Sequence, residues 1–226
     1  FGASVVTGVV EPHAGRTTWV EHLATLDRLL VFTAEGVRAV DPASLAGAPA
    51  EWPLDPLTPV TPIEALPEGE VVGGPDEARR WWQEGALLTA ALQVGLAASL
   101  VEQSVAYARD REQFGRAIGA FQAVKHLCAE MAVRAEVARA AVQAAACVFE
   151  DPTTGDPVRA VSGAKVLAGD AAIMNGRVAT QVHGGMGFTW EVDVHLYLKR
   201  AWVLDTRFGS VDAHADTVAA TLPAAR

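Results

Sequence analysis

The chain has no basic block. Its 18 lysines and arginines are outnumbered by 27 aspartates and glutamates, a formal charge of −9 over 226 residues. That balance argues against a generic nucleic-acid surface, while a few arginines and helix ends could still hold an anionic cofactor. Cysteine is nearly absent: Cys128 and Cys147 lie nineteen positions apart in one helical segment. On a continuous helix they are about 28 Å apart, too far for a disulfide, so the pair reads as reduced thiols of a cytoplasmic protein. No stretch of about 20 residues reads as apolar enough to span a bilayer. Phe1 is not preceded by methionine and nothing there resembles a signal peptide, so upstream residues are expected to be missing. Apolar material is not lacking. Half of the residues are hydrophobic and a fifth are charged, enough to bury a core as one large domain or two small ones.

Two compositions meet near Gly73-Gly74. Before them, Ala3–Val10, Thr17–Val20 and Leu29–Val40 are short runs rich in valine, threonine and leucine, broken by turn residues at 11–15 and 41–42. They predict short strands. Pro53–Pro67 carries five prolines and cannot be a helix interior, so residues 1–72 read as part of a β-rich domain followed by an extended linker. After Gly74, Pro75 suits a first helical position and Asp76-Glu77 complement the positive end of the helix dipole. That helix is expected to reach about Tyr107, and its apolar stretch Ala86–Leu100 implies burial on most sides. Further helices are expected over about 121–149, 158–182, 190–205 and 213–222. The fold class is mixed: a short β-rich segment and then, over 73–226, an antiparallel α-helical bundle.

Two segments could carry chemistry. Arg111-Glu112-Gln113-Phe114-Gly115 follows the first helix. There an arginine fork and a neutral amide can serve a pyrophosphate, although a solvated helix end is the commoner meaning of such a segment. Gln181-Val182-His183-Gly184-Gly185-Met186-Gly187 ends the third helix with three glycines in four residues. Another backbone or a planar ring could approach closely there, and Gln181 offers a donor and an acceptor to a nucleobase edge. A plain helix cap followed by a loop remains open. The cluster does not follow a strand, as a dinucleotide-binding loop should. His183 is expected to face solvent, and Trp81-Trp82 to cover a join between domains. His195 and His214 have no metal-ligand spacing, so no metal is assigned.

Taken in order, the arginine-bearing turn, the helix opened by Phe121-Gln122 and the Gln181-x-x-Gly184-Gly185 terminus resemble the C-terminal half of the flavin-dependent acyl-CoA dehydrogenases. The resemblance covers roughly residues 77–210. Residues 1–72 resemble the later part of that family's middle β-domain, with Leu54–Pro59 as a degraded linker, and its N-terminal helical domain has no counterpart in these residues. The resemblance implies FAD as cofactor. Arg111 and Gln113 would meet its pyrophosphate, Phe114 would pack against it, and Gln122 with Gln181, Gly184 and Gly185 would surround its adenosine part. These segments often serve the flavin of a neighbouring subunit, so an oligomer is implied.

The family's reaction needs a carboxylate to take an α-proton from an acyl-CoA thioester. The resemblance places that glutamate in a Glu-Gly-Thr run, and counting from Arg200-Ala201-Trp202 the matching run here is Arg207-Phe208-Gly209-Ser210. A phenyl ring stands where the base belongs. Some relatives carry the base on the first bundle helix, where the matching position is Gly85. Glu84, one residue away, points about 100° elsewhere, and Asp205 precedes Phe208 by one helical turn. The expected protein is therefore a catalytically silent subunit of a heteromeric enzyme, with a heterotetramer favoured, of the kind acting on fatty-acyl or steroid-derived thioesters. The backbone N–H of Phe208 could still lie near the thioester carbonyl. Two other readings stay open: a self-sufficient dehydrogenase using Glu84, Asp205 or an absent residue, and a bundle scaffold without flavin.

Overall fold

A computed structural model of the chain describes residues 5–12 and 16–222. The chain divides into two compact units, Phe1–Trp82 and Gln83–Arg226.

Among the described residues, the first unit has six strands: β1 (Thr7–Val10), β2 (Thr18–Glu21), β3 (Arg28–Thr33), β4 (Gly36–Val40), β5 (Val60–Ile63) and β6 (Glu70–Gly73). One sheet runs β1-β3-β4-β6, and β2 pairs with β5 apart from it. β1 is parallel to β3 and the other pairs are antiparallel. The expected run Leu29–Val40 is thus a hairpin that turns at Ala34-Glu35. Gly36, at φ 138, sits where a Cβ would collide with the Gly73 carbonyl. Side chains of β3 alternate between two cores. Leu29 and Val31 join Val10, Val20, Val40 and Ile63, whereas Leu30 and Phe32 meet Val37, Ala78, Trp81 and Trp82.

The proline-rich segment is not all linker. Within it, β5 places Pro62 opposite Trp19, tolerable because a two-stranded ribbon leaves each strand an outer edge. The buried Asp55 organises the preceding turn, accepting hydrogen bonds from Leu57 N (3.0 Å) and Thr58 Oγ1 (2.6 Å). Of the expected run Ala3–Val10, residues 3 and 4 lie outside the described residues.

The second unit is helical. α1 (Pro75–Asp110) enters it from the first unit and is followed by a small hairpin, β7 (Glu112–Gln113) and β8 (Arg116–Ala117). Then come α2 (Gln122–Glu150), α3 (Pro157–His183), α4 (Val194–Asp205) and α5 (Val211–Thr221), making an antiparallel bundle. Local signals explain the ends. Asp156 caps α3 by accepting from Val158 N and Arg159 N, with Pro157 at the first position, and Ser210 caps α5. Small residues fill the central seam: Ala90, Val94 and Ala97 of α1, Ala135, Ala138, Val142 and Ala145 of α2, and Ala164, Ala168 and Ala171 of α3. Asn175 Nδ2 ties this seam together, donating to Ala97 O (3.2 Å) and Met131 O (3.0 Å).

Two expectations about α1 need correction. Its mean hydropathy of 1.5 over an 18-residue window gives it the length and composition of a membrane span, properties a bundle core helix shares. Nor is it buried on most sides. Ala86, Ala90, Val94, Ala97 and Leu100 are enclosed, but Leu88 and Leu92 are 61% and 58% exposed.

Candidate functional site

The last turn of α1, just ahead of the first glycine-bearing segment, meets the second one. Tyr107, in the last turn of α1, stacks on His183 at the end of α3 with ring centroids 4.2 Å apart. Its hydroxyl donates to the His183 carbonyl at 3.4 Å. His183 is therefore buried, at 6% exposure, and its Nδ1 lies 2.8 Å from Ala179 O. The expectation that it faces solvent is wrong, because its partner comes from a helix 76 positions away. His195 is buried too, its ring edge-on to Trp190 at 5.1 Å.

Around this junction the expected ligand-facing residues stay open. Arg111, Gln113, Phe114, Gln122, Gln181, Gly184 and Gly185 are all exposed. α1 ends at Asp110, so Arg111 starts a hairpin whose tip is Phe114-Gly115, both at positive φ (54 and 77). Phe114 is 92% exposed, touching Phe121 edge-on at 6.1 Å, while Arg116 covers the other ring of that pair at 4.1 Å. Arg111 makes no ion pair with a described residue, and Gln113 Nε2 donates to Glu112 O. A Cβ built on Gly115, Gly184 or Gly185 would meet nothing within 4 Å. An arginine fork with no described ion-pair partner, three amides and open glycine backbone fit a phosphate-bearing ligand with flat rings. Among the described residues, no group of three or more metal-ligating side chains is gathered.

The second feature is the turn between α4 and α5. Phe208 adopts φ 51 and Gly209 φ 90, so a bulky residue is held in the left-handed region, which it does not adopt unaided. Two buried groups from other parts of the unit hold it. Lys165 on α3, wholly enclosed, donates to Leu204 O (3.3 Å), Asp205 O (3.3 Å) and Gly209 O (3.1 Å). Three carbonyls thus take its three protons at the negative end of α4. Burial pulls its pKa down to about 8, against the attraction of Asp205. His214 on α5 places Nε2 2.7 Å from Phe208 O and Nδ1 3.1 Å from Ser162 Oγ. Since a carbonyl only accepts, Nε2 carries the proton and Nδ1 takes the serine's. Burial foremost lowers the His214 pKa; Lys165 lowers it further, while the Phe208 carbonyl and Asp205 oppose.

The Phe208 ring lies on α1 at Gly85. A Cβ on Gly85 would sit 2.7 Å from ring Cδ1 and closer still to Cε1 and Cζ. The two positions that sequence reasoning connected with a base are therefore in direct contact, and neither carries a carboxylate. Glu84 is exposed on α1. Asp205 is half-buried and accepts from Val211 N at 3.3 Å, so it is occupied in closing the turn. Sequence reasoning missed Lys165, Ser162 and the role of His214. A lone lysine within the small-residue run Val161–Ala172 was the available signal. It also missed Gln93, fully buried on α1 with neither amide atom hydrogen-bonded to a described residue.

A family model described as "Acyl-CoA dehydrogenase, C-terminal domain" matches residues 76–222. The chain is similar to acyl-CoA dehydrogenase FadE34 of Mycobacterium tuberculosis, 47% identical over 116 residues, which make up 51% of this chain and 16% of that protein. Acyl-CoA dehydrogenase IpdE2 of Mycolicibacterium smegmatis is 41% identical over 116 residues, 51% of this chain and 35% of the relative. The aligned part is thus well under two thirds of these relatives' own length. Among solved structures, the ChsE4-ChsE5 complex from Mycobacterium tuberculosis is 25% identical with TM-score 0.76, over 99% of this chain and 65% of that one. A variant of the Tcur3481-Tcur3483 steroid ACAD shares the fold at TM-score 0.77 and 24% identity, over 94% and 61%.

Proposed function

The chain belongs to the acyl-CoA dehydrogenase family, and on that premise we propose that it is the non-catalytic member of a heteromeric acyl-CoA dehydrogenase. It would supply FAD-facing surface while a partner subunit supplies the base. The observation that carries this reading is Phe208: the residue matching the family's glutamate is a ring packed on Gly85, and a phenyl group accepts no proton. Support for a heteromer comes from a similar structure that is itself a complex of two differently named chains, ChsE4 and ChsE5.

FAD, when bound, would accept the hydride that leaves the acyl β-carbon. Arg111 would pair with its pyrophosphate through a forked, charge-assisted contact, aided by the Gln113 amide, with Phe114 against the cofactor. Gln122, Gln181 and the open backbone at Gly184-Gly185 would accommodate the adenosine part. The substrate class is an acyl-CoA thioester, fatty-acyl or steroid-derived, and a cytoplasmic location goes with it.

The test is anaerobic mixing of the flavin-loaded homomer with a panel of acyl-CoA thioesters, followed at about 450 nm, where the oxidised cofactor absorbs. The silent reading expects no bleaching until a glutamate-bearing partner is co-expressed. Rapid bleaching of the homomer would instead favour a self-sufficient enzyme, and Glu84→Gln and Asp205→Asn would then show whether either carboxylate is its base. A folded chain that holds no FAD with any partner would leave the scaffold reading.

A further inference from the structure

We propose that Phe208 is a plug as well as a missing base: its ring, seated on Gly85, keeps the acyl group of a thioester out of this chain's own copy of the site. The inference rests on the reading above, in which the acyl α-carbon lies beside position 208. It goes further, because a subunit lacking a base could still bind substrate unproductively, whereas a plugged one cannot.

Three observations lead there. The ring occupies the volume directly over the α1 backbone, so closely that position 85 has no room for a methyl group. The backbone beneath the ring cannot readily retreat. His214 holds the Phe208 carbonyl at 2.7 Å and Lys165 holds the Gly209 carbonyl at 3.1 Å, and both side chains are buried. The positive φ of Phe208 also means that the ring direction is imposed by these contacts, since an unrestrained phenylalanine avoids that region. Gly85 and Phe208 thus form a matched pair, a missing side chain under an oversized one. Substrate specificity at this site is then a steric decision made by residue 208, with Lys165 and His214 as positioning residues that keep the ring in place.

The experiment counts ligand on the full chain in its FAD-loaded assembly. Its probe is butyl-CoA, a thioether that lacks the carbonyl and is not a substrate, with CoA alone as reference, measured by equilibrium dialysis. Phe208→Ala is expected to bind one additional butyl-CoA per copy of this chain. The new sites should favour butyl-CoA over CoA by about tenfold or more, as burial of several methylenes requires. Gly85→Phe on top of Phe208→Ala refills the volume from the opposite wall and should abolish the added site. Phe208→Leu serves the same purpose if the alanine variant does not fold. An unchanged count in the opened variants overturns the plug, as does a wild-type count already equal to one per subunit when the copies of this chain are counted along with their partners. Neither result bears on flavin bleaching by the homomer, so failure of the plug and failure of the silent-subunit reading are separate outcomes.

Discussion

Gly85→Ala tests the contact beneath these readings, because two opposed effects of known size meet at one residue. Gly85 lies in the interior of α1, where alanine in place of glycine ordinarily stabilises by about 0.5–1 kcal/mol through backbone entropy. Here the added methyl would enter the Phe208 ring, within 2.7 Å of Cδ1 and closer to two other ring atoms. Overpacking of this kind costs about 1–3 kcal/mol, and the anchored turn limits how far the ring can withdraw. The net expectation is a loss of about 1–2 kcal/mol. In a Phe208→Ala background the obstacle is gone and the same substitution should stabilise by about 0.5–1 kcal/mol. A double-mutant cycle of urea melts, read at constant m-value, should therefore give a coupling energy of about 1.5–3 kcal/mol. Equal stabilisation by Gly85→Ala in both backgrounds would show that ring and helix are not in contact, and the plug would fall with it.

The buried clamp makes stability depend on pH at both ends. The His214 pKa is depressed in the folded state, so as pH falls through about 6.5 the unfolded chain takes up a proton that the folded chain refuses. Stability should drop there, and His214→Gln should flatten that acid limb in pH-dependent urea melts. The folded Lys165 ammonium loses its proton near pH 8 whereas the unfolded one keeps it to about 10.5, so this group makes stability rise over that interval. Lys165→Met should remove the rise. At pH 7 it should also cost about 1–3 kcal/mol, because the carbonyls at 205 and 209 lose the ammonium donor while Leu204 O keeps Arg207 N–H; an unchanged melt would show that the clamp does not hold the turn. Arg111→Ala should weaken FAD retention by about 1.5–3 kcal/mol, the usual worth of a hydrogen bond to a charged group. Undiminished affinity in a flavin titration would remove Arg111 from the site.

Several helix ends were legible from local punctuation. Pro75 with Asp76-Glu77, Asp151-Pro152, the Gly184-Gly185 stop and Pro223 sit within a few residues of the observed ends. Strands β5 and β6 were not. Prolines at 59, 62 and 67 argue against a strand from local sequence alone, and only pairing with β2 and β4 makes these segments extended. The same division runs through the site. The expectation that position 208 matches the family's glutamate came from counting along one segment. That its ring would rest on Gly85, 123 positions earlier, needed the fold. His183 went wrong for this reason as well, since its stacking partner Tyr107 belongs to another helix, and periodicity within α3 carries no trace of it.

Several buried contacts grip the turn that presents position 208 by its backbone. Lys165 touches carbonyl oxygens only, and His214 grips the carbonyl of Phe208 rather than its ring. Ser210 closes the first turn of α5 through Ala213 N, and Asp205 accepts from Val211 N. None of these contacts depends on the identity of side chain 208. The turn would therefore aim whatever residue stands there at the same place on α1, a carboxylate as readily as a ring. What a ring adds is volume, and Gly85 is the residue that makes room for it. A single side chain on an indifferent scaffold can thus decide between a base and a plug without disturbing the bundle or the exposed residues Arg111, Gln113, Phe114, Gln122, Gln181, Gly184 and Gly185. On this geometry, the proposed loss of chemistry and the proposed flavin-facing surface are compatible in one chain.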